Sequence, residues 1–443
     1  MVAFRYLARL VGLAAFATAM MATPLRAQEI GQEALSYLGT YAFADSLHTW
    51  DQNKEFGAEA VLDHTREGFR PQGYVLPAGH MFYPSITASE TYDNNLFLQP
   101  KGAAVGDWRT SVAPTFEFQS NLPRHSFQVH GDAESVSYRN NSNLNYVNAN
   151  LKADWRIDID AADTLGGTFQ SRYGHDNNFL PIDKDNPAKA IPIFSNRAAI
   201  GYAHDAGRTA LAMGADWERS SFTDVPSYGG GNLDEAANDN TVVGAFTFLS
   251  YRWSPGYRAF LAGRADREVF ANERASYGNN NSYRSEAGLI YELDPLLQFT
   301  FYAGYQYIKF DSNSQYNIGA PTFKVAVQWL PTHRMTVNLD AGRQIQRTLD
   351  GPTFGQLSDQ IHGRLQYDIW HNITGVLDAS YQNNQFIGGS RLDKQWAVSA
   401  GVDYLLNENL ALTLSYQHTE NVSNQDQYSF SDNRYMVALK LAQ

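Results

Sequence analysis

The chain has 443 residues, no cysteine and a formal charge of −12. The length allows several soluble domains, but the missing cysteine removes disulfides, thiolate chemistry and a cysteine-linked lipid anchor. The acidic balance argues against a nucleic-acid partner, and residues 10–25 form the only long uncharged apolar stretch, short of the about 20 residues that a membrane helix needs.

In chain order, residues 1–27 come first. Arg5 and Arg9 precede the apolar run LVGLAAFATAMMATPL, and small residues follow it. That order predicts a secretory signal peptide cut after Ala27, with Leu25 a larger −3 residue than usual. The leader holds three arginines and no acid, so removing it takes the charge from −12 to −15. Residues 28–80 are weakly patterned. A short helix is expected near Glu33 to Leu47, followed by the Gly- and Pro-containing stretch GFRPQGYVLPAG, all ahead of the main domain and in the periplasm.

From Met81 to the end, residues 81–443, the period is two. In Val147–Asp158, Val147, Ala149, Leu151, Ala153, Trp155 and Ile157 fall on one face. Lys152, Asp154, Arg156 and Asp158 fall on the other, with Asn148 and Asn150. Strands of about 12 residues exceed the 5 to 6 of soluble sheets and suit a tilted strand crossing a bilayer. The scheme recurs at Leu211–Glu218, Leu261–Glu268, Gln298–Gln306 and Ile361–Ile369. Eight aromatics, Phe118, Trp155, Tyr202, Trp253, Tyr291, Trp329, Tyr367 and Tyr404, each precede a short turn, with most spacings near 38 residues. Such a repeat predicts hairpins of a transmembrane antiparallel β-barrel with these rings as a periplasmic girdle.

Eight turns give sixteen strands. A first strand near Tyr83–Tyr92 and a last near Tyr435–Leu441 make eighteen, with sixteen as the alternative if the 28–98 segment plugs the lumen and the first pair is misread. An even count puts both termini on the short-turn side, the periplasm. The other connections, among them 177–192, 224–240, 271–281 and 385–391, are longer and face outside. An outer-membrane location in a Gram-negative cell follows, with membrane lipid as a partner and no nucleic acid.

The stretch REGFRPQGYVLPAGHMFYPSITASETYDNNLF contains Arg70-Pro71, Tyr83-Pro84 and the turn Tyr92, Asp93, Asn94, Asn95, Leu96, Phe97. It resembles the entry into the barrel of the β-barrel porin 2 family, and VAPTFEFQSNLPRHSFQVHGDAE is similar to that family's second hairpin. The specific likeness covers residues 66–135. It implies a conduit for an extracellular or capsular polysaccharide, working with periplasmic export and synthesis proteins. The alternation by itself fits a general or small-solute diffusion porin equally well, and a closed structural or adhesion barrel is a third reading. Unlike most such barrels, the chain ends on Lys440-Leu441-Ala442-Gln443 with no terminal aromatic.

No Gly-x-Ser-x-Gly elbow, His-Glu-x-x-His or phosphate loop occurs, so an enzyme, a metal centre and a cofactor are not expected. His204, His333 and His371 read as turn and interface residues. The candidate lumen lining comprises Lys152, Asp154, Arg156, Asp158, Asp216, Glu218, Arg264, Asp266, Glu268, Tyr302, His362, Arg364 and Asp368. These charges either pair across strands or set solute preference. Tyr302, Tyr307 and the tyrosines placed in loops, Tyr228, Tyr277, Tyr283 and Tyr316, either stack on sugars or anchor at the interface. The Asn-rich stretches Asn140–Asn141, Asn279–Asn281 and Asn383–Asn384 read as solvated tips. No connection stands out as an inward-folded loop, although 177–192 and 224–240 are longest. The expectation is an open, mixed-charge lumen, weakly tolerant of cations.

Overall fold

The computed structural model describes residues 71–122, 124–176, 187–272, 278–294, 296–312, 317–346 and 355–443. The expected signal peptide and helix, Tyr277 and Tyr316 lie outside them. Eighteen long strands form one antiparallel sheet. They are β1 Met81–Asp93, β2 Asp107–Gln119, β3 His125–Tyr138, β4 Tyr146–Asp158, β5 Asp163–Asp176 and β6 Ile191–Asp205. Next come β7 Thr209–Phe222, β8 Asn240–Ser254, β9 Tyr257–Phe270, β10 Asn280–Asp294, β11 Leu297–Phe310 and β12 Ile318–Thr332. The last are β13 Met335–Gln346, β14 Gly355–Trp370, β15 Ile373–Ile387, β16 Leu392–Leu405, β17 Leu410–Ser423 and β18 Phe430–Ala442. Each pairs with the next. The sheet closes where β18 pairs β1 from Ser85↔Ala442 to Asp93↔Arg434. Closure leaves no open edge in the membrane, where unpaired backbone groups would be costly.

Eighteen, and not sixteen, is the strand number. The first and last strands that the sequence added to eight hairpins are the two that close the ring. The eight short turns and both ends of the barrel share one rim, and the longer connections share the other, as even parity requires. Before β1, Tyr74–Val75 pairs with Phe82 and Met81, filling the strip of β1 below the end of β18.

Residues opposed in register share a face, and faces alternate along each strand. One face carries Leu261, Ile361, Leu377, Val437 and Leu441, all exposed; Ile361 retains 59% of its surface. A soluble sheet would bury these side chains, so this outer face meets lipid. The core of the fold is the opposite, inner wall.

Candidate functional site: the inner wall and its mouth

Every strand sends its polar set inward. All thirteen proposed lining residues stand on inward positions by register, as the pairs Asp154↔Gln128, Asp216↔Gly244, Arg264↔Phe246, Tyr302↔Gly288 and Asp368↔Thr374 show. The pairs occupy alternate positions from the exposed outward residues Phe127, Trp217, Leu249, Leu289 and Tyr367.

Most of these charges have partners of opposite sign on the wall. Arg264 on β9 grips Asp216 on β7 through two bonds of 2.7 and 2.8 Å and lies 2.6 Å from Asp266. Arg264, Asp216 and Asp266 side chains are only 7, 6 and 8% exposed. Lys152 meets Asp154 at 2.9 Å and Arg156 meets Asp158 at 2.7 Å, each pair two residues apart on one face. Asn280 donates to Glu268 at 2.9 Å, and Thr374 donates to Asp368 at 2.8 Å. His362 bridges Asp340 at 3.0 Å and Asp378 at 3.4 Å, and Arg364 approaches Asp378 at 3.7 Å. Glu218 faces inward opposite Arg197 in register. The thirteen therefore spread around the wall and do not converge on one centre.

Sequence reading missed the partners Asp340 and Asp378, and also Arg109, whose guanidinium donates to Glu134 at 2.6 Å while Ser111 donates at 2.7 Å. These acids and bases sit at the same alternation phase as the residues it chose, and cross-strand register supplies the pairing. Among the described residues no cluster of three or more His, Cys, Asp or Glu could hold a metal.

One patch of the inner wall is apolar. Ala203, Ala212, Phe248, Phe260, Ala262, Ile290 and Tyr302 form one buried cluster across β6 to β11. Phe248 stacks on Phe260 at 5.1 Å, and Phe260 meets Tyr302 edge-on at 6.1 Å. Two glycines make room. A Cβ on Gly288 would sit 2.5 Å from the Phe260 ring, and one on Gly214 would sit 2.6 Å from the Phe246 ring. The Phe260 and Phe246 rings thus occupy the space that a side chain at Gly288 or Gly214 would need. The detectable signal is β8 itself, TVVGAFTFLSYRW, which is apolar on both faces.

The long-loop mouth is not unobstructed. Leu96 and Phe97 from the β1–β2 loop, Leu144 from the β3–β4 loop and Ala190 from the β5–β6 loop bury with Val136, Tyr138 and Tyr146; Tyr228 from the β7–β8 loop packs on them. Val136, Tyr138 and Tyr146 hold inward positions on β3 and β4, so four loops fold onto the inner wall. Phe97 meets Tyr228 edge-on at 6.5 Å, the Ala188 N–H donates to Pro226 O at 2.8 Å, and Asn143 Nδ2 donates to Ala188 O at 3.1 Å. The two loops noted as longest by sequence take part, which the expectation of an open lumen did not anticipate. Their length alone gave no direction.

Other placements differ from expectation. Tyr283 lies in β10 and not in a loop, and Tyr283 and Tyr307 both face outward, half exposed. Asn280, Asn281, Asn383 and Asn384 lie within strands, because the strands run two or three residues into the expected loops 271–281 and 385–391. Asn140 and Asn141 are turn residues, but held: both donate backbone and amide N–H groups to Asp107. The eight ladder aromatics occupy outward register positions within three residues of the short-turn ends of β2, β4, β6, β8, β10, β12, β14 and β16.

A closed membrane barrel with a charged, water-compatible inner wall is a porin-type architecture. The chain belongs to the family described as "Putative beta-barrel porin 2", whose pattern matches residues 68–443. Among solved structures, OpdK of Pseudomonas aeruginosa, crystallised with vanillate, superimposes with a TM-score of 0.44 at 14% identity, covering 82% of this chain and 99% of that one. OccK2 (OpdF) of Pseudomonas aeruginosa gives 0.47 at 12% identity over 84% and 99%. OccAB4 of Acinetobacter baumannii gives 0.44 at 11% identity over 82% and 98%. No curated protein matches the chain.

Proposed function

We propose that the protein is an outer-membrane diffusion channel for small hydrophilic solutes, with the short-turn rim and both barrel ends in the periplasm and the ladder aromatics as the interface belt. The mouth carries this reading. Four loops pack against the inner wall around Leu144, which is fully buried. A narrowed mouth suits the passage of small solutes, whereas a long glycan needs an unbroken bore. The polysaccharide-conduit reading, with its periplasmic partners, rests on family likeness alone.

Mixed-sign pairing along the wall supports weak ion selectivity. Arg264 between Asp216 and Asp266 leaves that patch one negative charge from neutral. Binding to a wall of paired charges is shallow enough to release a solute again. Swelling of proteoliposomes in sugars of increasing size tests the reading. Uptake of mono- and disaccharides with a sharp size limit is expected; equal passage of long dextrans, or no uptake at all, would overturn it.

A further inference from the structure

We propose that the outer face of β7 to β11 binds a phosphorylated glycolipid, with its phosphates at Arg219, Arg267 and Lys309 and an acyl chain in the groove below them. The long-loop rim then lies in the outer leaflet, the orientation proposed above and the one on which this site rests.

Arg219, Arg267 and Lys309 stand within three residues of the long-loop ends of β7, β9 and β11. All three take outward positions. Arg219 shares its face with Trp217, Arg267 with Leu261 and Ala265, and Lys309 with Tyr307 and Tyr305. Arg219 and Lys309 are exposed, and the Arg267 side chain is 39% exposed. The outward pair Tyr283↔Tyr307 lies one step below Asn281↔Lys309, about 7 Å along the strands. Amphipathic rings mark the hydrocarbon boundary. The cations therefore lie at the level of lipid headgroups, where a charge on the outer face costs little.

Asp216, Glu218, Asp266, Glu268 and Glu286 of these strands take inward positions. Asp311, just past β11, accepts from Arg267 at 2.9 and 2.6 Å. Three cations and this one acid leave the outer surface two positive charges. Elsewhere on the same rim outward charges are matched. Arg343 on β13 donates to Asp359 on β14 at 2.5 and 2.8 Å, and outward Lys394 and Glu420 lie on the adjacent strands β16 and β17. The excess is local to β7–β11, and it favours an anionic headgroup. From Arg219 to Lys309 is four strand spacings, about 19 Å. A single phosphodiester does not reach across that distance, whereas a sugar headgroup carrying more than one phosphate does.

On the same face a groove of about 530 Å³ opens between Leu249, Leu261, Leu289 and Phe301, with Ala259 and Ala287 also lining it. Leu261 precedes Arg267 by six residues on β9, about 20 Å along the strand and so within the hydrocarbon. The outward positions between them are Ala245 opposite Ala265 and Thr247 opposite Gly263. Nothing bulky on β8 and β9 separates the cations from the groove. An acyl chain hanging from a headgroup at Arg267 reaches it.

Native mass spectrometry of the full-length barrel in detergent tests the site, with diphosphorylated lipid A as the probe. One lipid A per barrel is expected. Arg219→Gln, Arg267→Gln and Lys309→Gln together should weaken its binding at least tenfold. Ala287→Trp, which fills the groove, should weaken lipid A binding and leave that of the deacylated disaccharide diphosphate unchanged. Arg343→Gln, on the same rim, is the control and should change nothing. Heat-modifiable gel mobility checks that each variant is folded. Binding that survives the triple substitution or the tryptophan, equal binding of phosphatidylglycerol, or a dimer of barrels in place of a lipid adduct would overturn the proposal. Orientation is read separately. In intact cells the cysteine-free chain carrying Asn232→Cys, in the β7–β8 loop, should react with a membrane-impermeant maleimide. Reaction only in broken cells would sink the orientation and the outer-leaflet lipid with it; lost binding with the loop labelled from outside would sink this site alone.

Discussion

Replacing Arg264 by Met keeps the side-chain volume and removes the charge that two buried carboxylates share. Asp216 and Asp266 would then lie close together on the inner wall, each under 10% exposed, with their common partner gone. Breaking a buried ion pair from one side costs about 3–5 kcal/mol, because the charge left behind stays desolvated. Two charges left behind put Arg264→Met at the upper end, less whatever water enters from the lumen. The assay is a urea titration read by heat-modifiable gel mobility, which separates folded from unfolded barrel. A midpoint shift equivalent to about 3–5 kcal/mol is expected, with most of it regained when Asp216→Asn and Asp266→Asn are added. The same variant should raise cation selectivity in planar bilayers, since the wall gains net negative charge at that height. A stability loss below about 0.5 kcal/mol, the size of an ordinary surface change, would refute the burial argument. A stability loss without any change in selectivity would place the triad off the conduction path.

Depth in the membrane should grade the cost of a charge on the outer face. Ile361→Arg, mid-strand on β14, should cost about 2–4 kcal/mol, and Tyr367→Arg near the short-turn end about 0–1 kcal/mol, both from the same urea titration; equal costs would count against the outer face as the lipid face. Leu144→Ser should release the four-loop cluster, enlarging single-channel conductance while the global urea midpoint stays put, because the lost burial is local to the mouth. The β7–β8 loop should respond to pH. Burial, with the nearby Asp224 and Asp234 charges, raises the Glu235 carboxyl above its ordinary value, against a bond from Asn238. A raised acid contributes least to folding when ionised, so the loop should hold tightest below the ordinary glutamate value and loosen as pH climbs through the raised one; protease cutting that slows with rising pH would contradict this.

The barrel was legible because its physics is periodic. A tilted strand must present lipid-compatible and water-compatible side chains alternately, and β4 does so without a break from Val147 to Asp158. Parity then placed both ends on the short-turn rim. The pairing of the wall was only half legible. Alternation puts His362 and Arg364 inside, but nothing in the sequence says that Asp340 and Asp378 lie beside them, since that depends on register between strands. Strand ends at the long-loop rim were read short, because Asn-rich sequence such as Asn383–Asn384 marks turns in soluble proteins and here continues a ladder.

The loops and the apolar wall were illegible for a different reason. Which way a loop folds is decided by contacts between segments far apart in sequence, here Phe97 with Tyr228 and Asn143 with Ala188. Phe248 and Phe260 violate the alternation that made the rest readable, and a violation of a local rule is informative only once its location is known. Inside a barrel, an apolar ring gains nothing from lipid and loses in water, so it persists only where something packs over it or where it serves passage. The Phe246 and Phe260 rings lie over Gly214 and Gly288, where an added Cβ would collide with them.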